Sequence, residues 1–228
     1  MFNDHSNGPS RFYQLHLGGD RNFCYLLADE VSGEAAAVDP GFEPDEMHRI
    51  ACERGLHIRN ILITHGHSDH VGGAARLMEL TGAKLLAGPE DEVAGAVSLT
   101  DEQVIELGAL QVTALHTPGH SPGHYCYLFE NRLVTGDLLF CGKIGGTGPY
   151  FPGSSAEQEY ASLQRILKLP DATLVFPGHD YYGGDGNMPC STIGFEKQYN
   201  PFLTVADFAG FCHLKDNWAE YKKEHGIR

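Results

Sequence analysis

Residues Thr64-His65-Gly66-His67-Ser68-Asp69-His70 bring three imidazoles and a carboxylate into six consecutive positions, directly after the apolar run Ile61-Leu62-Ile63. Neutral imidazole and carboxylate are the usual ligands of zinc and of ferrous iron or manganese. In an extended segment the side chains at i and i+2 project the same way, so His65 and His67 can share one ion. A helix beginning near Asp69 would turn Asp69 and His70 off the strand end toward a second position. Thirteen histidines in 228 residues make some clustering expected by chance. Ligand spacing at a strand-to-helix turn, where the sites of α/β proteins lie, sets this cluster apart. Three further candidates follow downstream: His120 in Thr117-Pro118-Gly119-His120-Ser121-Pro122-Gly123-His124, Asp137 in Thr135-Gly136-Asp137, and His179 in Phe176-Pro177-Gly178-His179-Asp180. Each comes after a short apolar run and lies in a Gly or Pro turn.

The elements that must position these residues alternate along the chain. Phe12 to Leu17, Phe23 to Ala28 and Ala35 to Val38 read as strands, joined by hairpin turns at Gly18-Gly19 and Ser32-Gly33. Pro44 to Arg54 reads as a helix, with Pro44 at its first position, Met47, Ile50 and Ala51 on one apolar face, and Gly55 as the stop. Asn60 to Thr64 is then the strand that delivers the histidine cluster, and Val71 to Leu80 the helix that leaves it. Lys84 to Ala87, Gln111 to Leu115, Tyr125 to Phe129 and Arg132 to Thr135 continue the strands. Ser154-Ser155-Ala156-Glu157 opens a helix to about Lys168 as a capping box. Thr173 to Phe176 is the last strand, and the chain from Phe195 onward is helical or irregular.

Two residues near the cluster have open roles. Asp39, in Val38-Asp39-Pro40-Gly41, either hydrogen-bonds a ligating histidine or simply forms a turn before proline. His124 reads as a structural or supporting histidine, since the same turn already supplies His120. His5, His16, His48, His57, His116, His213 and His225 lack neighbouring ligands and read as surface or packing residues.

A net charge of −14 without a Lys/Arg stripe argues against a nucleic-acid surface. No stretch approaches the roughly 18 apolar residues of a membrane span, and Met1 to Arg11 carries no apolar signal core, so the expectation is a cytoplasmic protein. Cysteines 24, 52, 126, 141, 190 and 212 show no C-x-x-C spacing and read as reduced, mostly buried thiols, with Cys141 close to Asp137 in sequence. No linker or repeat divides the chain, and one domain spanning residues 1–228, with a short helical extension from about 195, is expected. Phe202, Phe208, Phe211 and Trp218 either cover the core or form a homodimer contact.

Taken in order, these segments resemble the metallo-β-lactamase superfamily, whose signature is H-x-H-x-D-H followed by separate His, Asp and His ligands. The resemblance spans roughly residues 11 to 203. It implies an α/β fold of four αββα layers, two sheets packed face to face with helices outside and ligand loops along one edge. It also implies His65, His67 and His120 on a first metal, Asp69, His70 and His179 on a second, and Asp137 bridging.

Two divalent ions about 3.5 Å apart can share a hydroxide, lower the pKa of bound water and polarise a carbonyl. A thioester suits such a site, because a thiol of pKa about 8.5 leaves readily as thiolate. No G-x-S-x-G elbow offers a serine route. Within the superfamily the ligand order and Gly136-Asp137-Leu138-Leu139-Phe140 resemble glyoxalase II, which implies a small thiol-derived substrate such as a hydroxyacylglutathione. Asp69 and Asp137 would then act through the metals, which could be zinc, iron or manganese. Lys143 would either pair with a carboxylate of the thiol carrier or stand as a solvated surface lysine, and Tyr181 would line the channel. Ile144 to Pro152 departs from the glyoxalase II pattern. The tail Ser191 to Lys197 with Asn200-Pro201-Phe202-Leu203 is more similar to the persulfide dioxygenase branch, which implies one ferrous ion held by His65, His120 and Asp137.

Overall fold

The structure, a computed structural model, describes residues 2–17, 21–179 and 190–227. The expected Gly18-Gly19 turn and Tyr181 lie outside the described residues.

The first half of the chain gives β1 (Phe2–Asp4), β2 (Ser10–His16), β3 (Phe23–Asp29), β4 (Glu34–Val38), α1 (Pro44–Glu53), β5 (His57–Leu62), α2 (Ser68–Val71), α3 (Ala74–Thr81), β6 (Lys84–Ala87) and β7 (Val97–Ser98). The second half gives β8 (Gln103–Leu107), β9 (Leu110–His116), β10 (Tyr125–Phe129), β11 (Arg132–Gly136), β12 (Leu139–Phe140), β13 (Lys143–Ile144), α4 (Ala156–Ile166), β14 (Leu174–Pro177), β15 (Ser191–Thr192), α5 (Ile193–Tyr199), α6 (Phe208–Asp216) and α7 (Trp218–Glu224). Strands β1 to β7 form one sheet in sequence order, antiparallel to β4 and parallel from β4 onward. A second sheet has the order β15-β14-β11-β10-β9-β8, with β11 and β14 parallel.

Side chains of a strand alternate between its faces, and here both faces are apolar. In β3, Cys24, Leu26 and Ala28 join Met47 and Ala51 of α1 and Leu77 of α3. Phe23, Tyr25 and Leu27 point the other way and meet Val112, Tyr127 and Phe129 of the second sheet. The far face of that sheet carries Cys126, Leu133 and Val175, packed on Leu163 of α4 and Phe211 of α6. Three apolar interfaces between four layers thus make the αββα sandwich. Phe202 and Phe211 are buried in the third interface, with Phe208 and Trp218 packed against it.

Several boundaries differ from the sequence reading. The expected helix from Val71 to Leu80 is split into α2 and α3 at Gly72-Gly73, because the backbone there runs against the 39–44 loop. A Cβ on Gly73 would lie 2.7 Å from the Gly41 carbonyl oxygen. The histidine-delivering strand starts earlier, with His57 N–H bonded to Gly33 O, and ends at Leu62, beyond which Thr64 N–H is taken by Asp39. Strands β1 and β8, absent from the sequence reading, extend the two sheets at their edges. At α4 the cap is Ser155, whose hydroxyl accepts from Gln158 N–H at 3.3 Å. None of the six cysteines forms a disulfide; Cys24, Cys126 and Cys141 are buried, but Cys52 is exposed. Burial pushes the Cys126 thiol up to about 12, far from a reactive thiolate.

Candidate metal centre

The strand ends that carry the candidate residues all reach one edge of the sandwich. β4 leads to Asp39, β5 to the 65–70 cluster, β9 to the His120 turn, β11 to Asp137 and β14 to His179. Two buried tyrosines cross from sheet to sheet where these loops begin. Tyr127 donates to Ile63 O at 2.6 Å, and Tyr25 donates to Pro177 O. Tyr125 N–H adds a bond to Thr64 O at 2.7 Å. The loops therefore start from fixed points rather than from free strand ends.

Seven side chains converge there. The Nε2 of His65 lies 2.8 Å from Nδ1 of His67, which lies 3.1 Å from Nε2 of His120. On the other side, Nε2 of His70 lies 3.2 Å from Nε2 of His179, and Asp69 Oδ2 lies 3.6 and 3.3 Å from these two nitrogens. Asp137 sits between the groups: Oδ1 is 3.4 Å from His70, and Oδ2 is 3.4 Å from His179 and 3.6 Å from His120. Three sets of ligand atoms lie within 4.8 Å of one another: His65 with His67 and His120, His65 with His70 and Asp137, and Asp69 with His70 and His179.

Hydrogen bonds behind the rings set which nitrogen faces inward. Asp39 accepts from Thr64 N–H at 2.8 Å, from the Thr64 hydroxyl at 2.6 Å and from His70 Nδ1 at 2.9 Å. With its proton given to Asp39, the Thr64 oxygen accepts from His65 Nδ1 at 3.1 Å. His120 Nδ1 donates to Gly146 O at 2.7 Å. In His65, His70 and His120 the Nε2 lone pair is thereby left for the centre. His124 is different: its Nε2 accepts from Asp137 N–H at 3.2 Å, and its Nδ1 bonds Thr117 Oγ1 at 2.9 Å. With both nitrogens engaged, it supports the Asp137 backbone.

Burial pushes the His65 and His120 imidazoles below their usual values, so both stay neutral, the form a metal requires. Burial also acts on Asp137, yet His179 and His70 hold its carboxyl well below the usual carboxylate range. His179 is carried up to about 10 against the same desolvation, by Asp137 and Asp69. A field that favours imidazolium also favours a divalent cation. Asp137 Oδ1 is buried without a hydrogen-bond partner, an orphan that a metal ion would satisfy. Inward lone pairs a hydrogen-bond length apart and an unpartnered carboxylate oxygen fit divalent-metal ligation.

From this centre a cleft of about 610 Å³ opens along the second sheet toward the C-terminal helices, lined by His120, Asp137, Lys143, Phe151, Lys215 and Trp218 among others. Lys143 is half-buried, and burial together with the charges of Lys222, Lys215 and Arg21 lowers its amine from the usual value. The cysteine lining the cleft is Cys212 rather than Cys141.

Residues distant in sequence complete the site. Asn22 donates to both the carboxylate and the carbonyl of Asp69 at 3.2 Å. Lys215 donates to Gly145 O at 3.0 Å and to the buried Glu159. Asp91 bonds the loops on either side of the first set of histidines. None carries a local sequence signal; Asp91 sits in the acidic run Glu90-Asp91-Glu92, which reads as solvated charge.

Comparison with known proteins agrees with this geometry. Residues 17–179 match the family model described as the metallo-beta-lactamase superfamily. A hydroxyacylglutathione hydrolase of Polaromonas sp. is 37% identical, over 91% of this chain and 90% of that protein. Among solved structures, ETHE1 from Myxococcus xanthus is 32% identical with a TM-score of 0.83, over 91% of this chain and 90% of that one. The di-iron-bound form of TTHA1623 is 31% identical with a TM-score of 0.71, over 83% and 99%.

Proposed function

The chain belongs to the metallo-β-lactamase superfamily, and from that premise we propose that it is a metal-dependent thioesterase of the glyoxalase II type, acting on a small acyl-thiol such as a hydroxyacylglutathione. The observation that carries this reading is the convergence of seven ligand groups at the end of a cleft bearing Lys143. We assign His65, His67 and His120 to one divalent ion and Asp69, His70 and His179 to a second, with Asp137 between them. Zinc suits these donors, and so do iron and manganese.

When bound, such ions supply a water activated at neutral pH and polarise the acyl carbonyl. The chain's own residues do the rest. Asn22 holds Asp69, and His124 holds the Asp137 backbone, so the carboxylates stay aimed at the centre. Phe140 and Phe151 give the cleft apolar wall that excludes bulk water from the acyl group. Lys143 pairs with a carboxylate of the thiol carrier. A thiolate of pKa about 8.5 departs without a proton donor, so no further acid is needed. The substrate is a small molecule; neither a nucleic acid nor a membrane is part of the reading, and no helix among the described residues is long and apolar enough to cross a membrane.

A second reading, a persulfide dioxygenase with one ferrous ion on His65, His120 and Asp137, draws on the sequence of the 191–203 segment and on the likeness to ETHE1. Metal content of protein purified without chelator, combined with lactoylglutathione hydrolysis and oxygen uptake on glutathione persulfide, separates the two. Two metals per chain with thioester turnover and no oxygen uptake is the expected result. One iron per chain with stoichiometric oxygen uptake would replace the hydrolase by the dioxygenase.

A further inference from the structure

We infer that Asp91 is a positioning residue of the metal centre, a carboxylate clamp that sets the distance between the loop carrying His65 and His67 and the turn carrying His120. This rests on the reading that those three histidines hold a divalent ion. Asp91 ends the short 3-10 turn Pro89–Asp91 after β6. Its Oδ2 accepts from Gly66 N–H at 2.7 Å and from the Ser121 hydroxyl at 2.8 Å, and its Oδ1 accepts from Gly123 N–H at 2.8 Å. Gly66 stands between His65 and His67, and Ser121 and Gly123 follow His120. One carboxylate therefore ties together the backbones on which all three inward nitrogens depend.

The fit leaves no room for adjustment. A Cβ on Gly123 would lie 2.7 Å from the Asp91 carboxylate carbon. These loops come from different sheets, β5 in the first and β9 in the second, and no strand pairing joins them at this point. The Asp91 carboxylate bridges them there, beside the backbone bond from Tyr125 N–H to Thr64 O, and a charged acceptor makes a stronger hydrogen bond than a neutral one. The side-chain bonds of Asp91 go to Gly66, Ser121 and Gly123 and not to the group of Asp69, His70 and His179, so its influence falls on one metal position and not the other.

Asp29 provides the control. It staples a turn in the same way, accepting from Val31 N–H, Ser32 N–H and Ala109 N–H at 3.2, 3.3 and 3.2 Å, but at the opposite edge of the sandwich. The experiment loads the full chain with zinc and challenges it with increasing concentrations of a chromophoric chelator, for wild type, Asp91→Ala, Asp91→Asn and Asp29→Ala, with thermal midpoints recorded alongside. Asp91→Ala should release one of its two zinc ions about 10- to 100-fold more readily, with the second unchanged. Asp91→Asn, which keeps an acceptor but not the charge, should fall between. Asp29→Ala should lower the midpoint with both release steps unmoved. Wild-type release from both Asp91 variants, or equal shifts in Asp91→Ala and Asp29→Ala, would overturn the clamp. A wild-type chain that takes up no zinc would overturn the metal reading itself, a result separable from the other two.

Discussion

An imidazole presents a lone pair to a metal only if its other nitrogen carries the proton, and that proton needs an acceptor. For His70 the acceptor is Asp39, which also receives the Thr64 hydroxyl and so orients His65 through Thr64. One carboxylate thereby governs a histidine in each metal position. Asp39→Ala should weaken retention of both metals, by about 10- to 100-fold, in a chelator competition; unchanged retention would show that ring packing alone holds the two tautomers. Asp137→Ala should remove metal from both positions and abolish turnover, since that side chain touches both groups. His179→Ala gives the finer result. Loss of one metal with most of the thioesterase activity is expected from the two-metal reading, whereas full activity with one iron retained would favour the dioxygenase.

At the scale of elements, the loops owe their placement to cross-sheet bonds made by buried tyrosines. The Tyr127 hydroxyl meets the Ile63 carbonyl just before the cluster begins. Tyr127→Phe leaves that buried acceptor unpaired while keeping the ring's packing, and should lower stability by about 1–3 kcal/mol in urea denaturation. An effect near zero would mean that the carbonyl finds another donor. Metal affinity should fall with it, since Ile63 precedes His65 by only two positions. Ser155 acts on one element: Ser155→Ala removes the cap of α4 and should cost about 1 kcal/mol with metal content unchanged.

Across the whole molecule, the C-terminal helices reach the centre through a buried pair. Lys215 of α6 bonds Glu159 of α4 and the Gly145 carbonyl, next to the Gly146 carbonyl that orients His120. Burial raises the Glu159 carboxyl from 4.5 to about 7, although Lys215 acts in the opposite sense. A carboxyl with a higher pKa in the folded state binds its proton more tightly when folded. Its contribution to stability is therefore complete below about 4.5 and is lost as pH rises through about 7. Glu159→Gln, which mimics the protonated form, should flatten the pH dependence of stability between pH 5 and pH 8 by up to about 3 kcal/mol. Parallel urea curves for wild type and variant would contradict this assignment.

The ligand types, their order and the strands that deliver them are local properties, written in short apolar runs that end in Gly, Pro and His. That is why residues 65–70, His120, Asp137 and His179 could be read from the chain alone, whereas the two-sheet sandwich around them followed from the resemblance to the superfamily and not from any local pattern. The start of α4 was legible for the same reason, but only to within a residue: the Ser154–Glu157 spacing points to Ser154 as the cap, and the structure uses Ser155 with Gln158. The break at Gly72-Gly73 was not, because it depends on Gly41, a residue from another loop. Asn22, Asp91 and the Glu159–Lys215 pair act across separations of 25 to 56 residues, and only packing brings them together. Asp39 shows both sides: its position after a strand suggested either a turn or a support, and only its approach to His70 and Thr64 decided between them. Sequence by itself determined which groups could ligate a metal. Tertiary structure decided which nitrogen of each ring faces inward and which distant carboxylate holds each loop, because those follow from contacts between strands far apart in the chain.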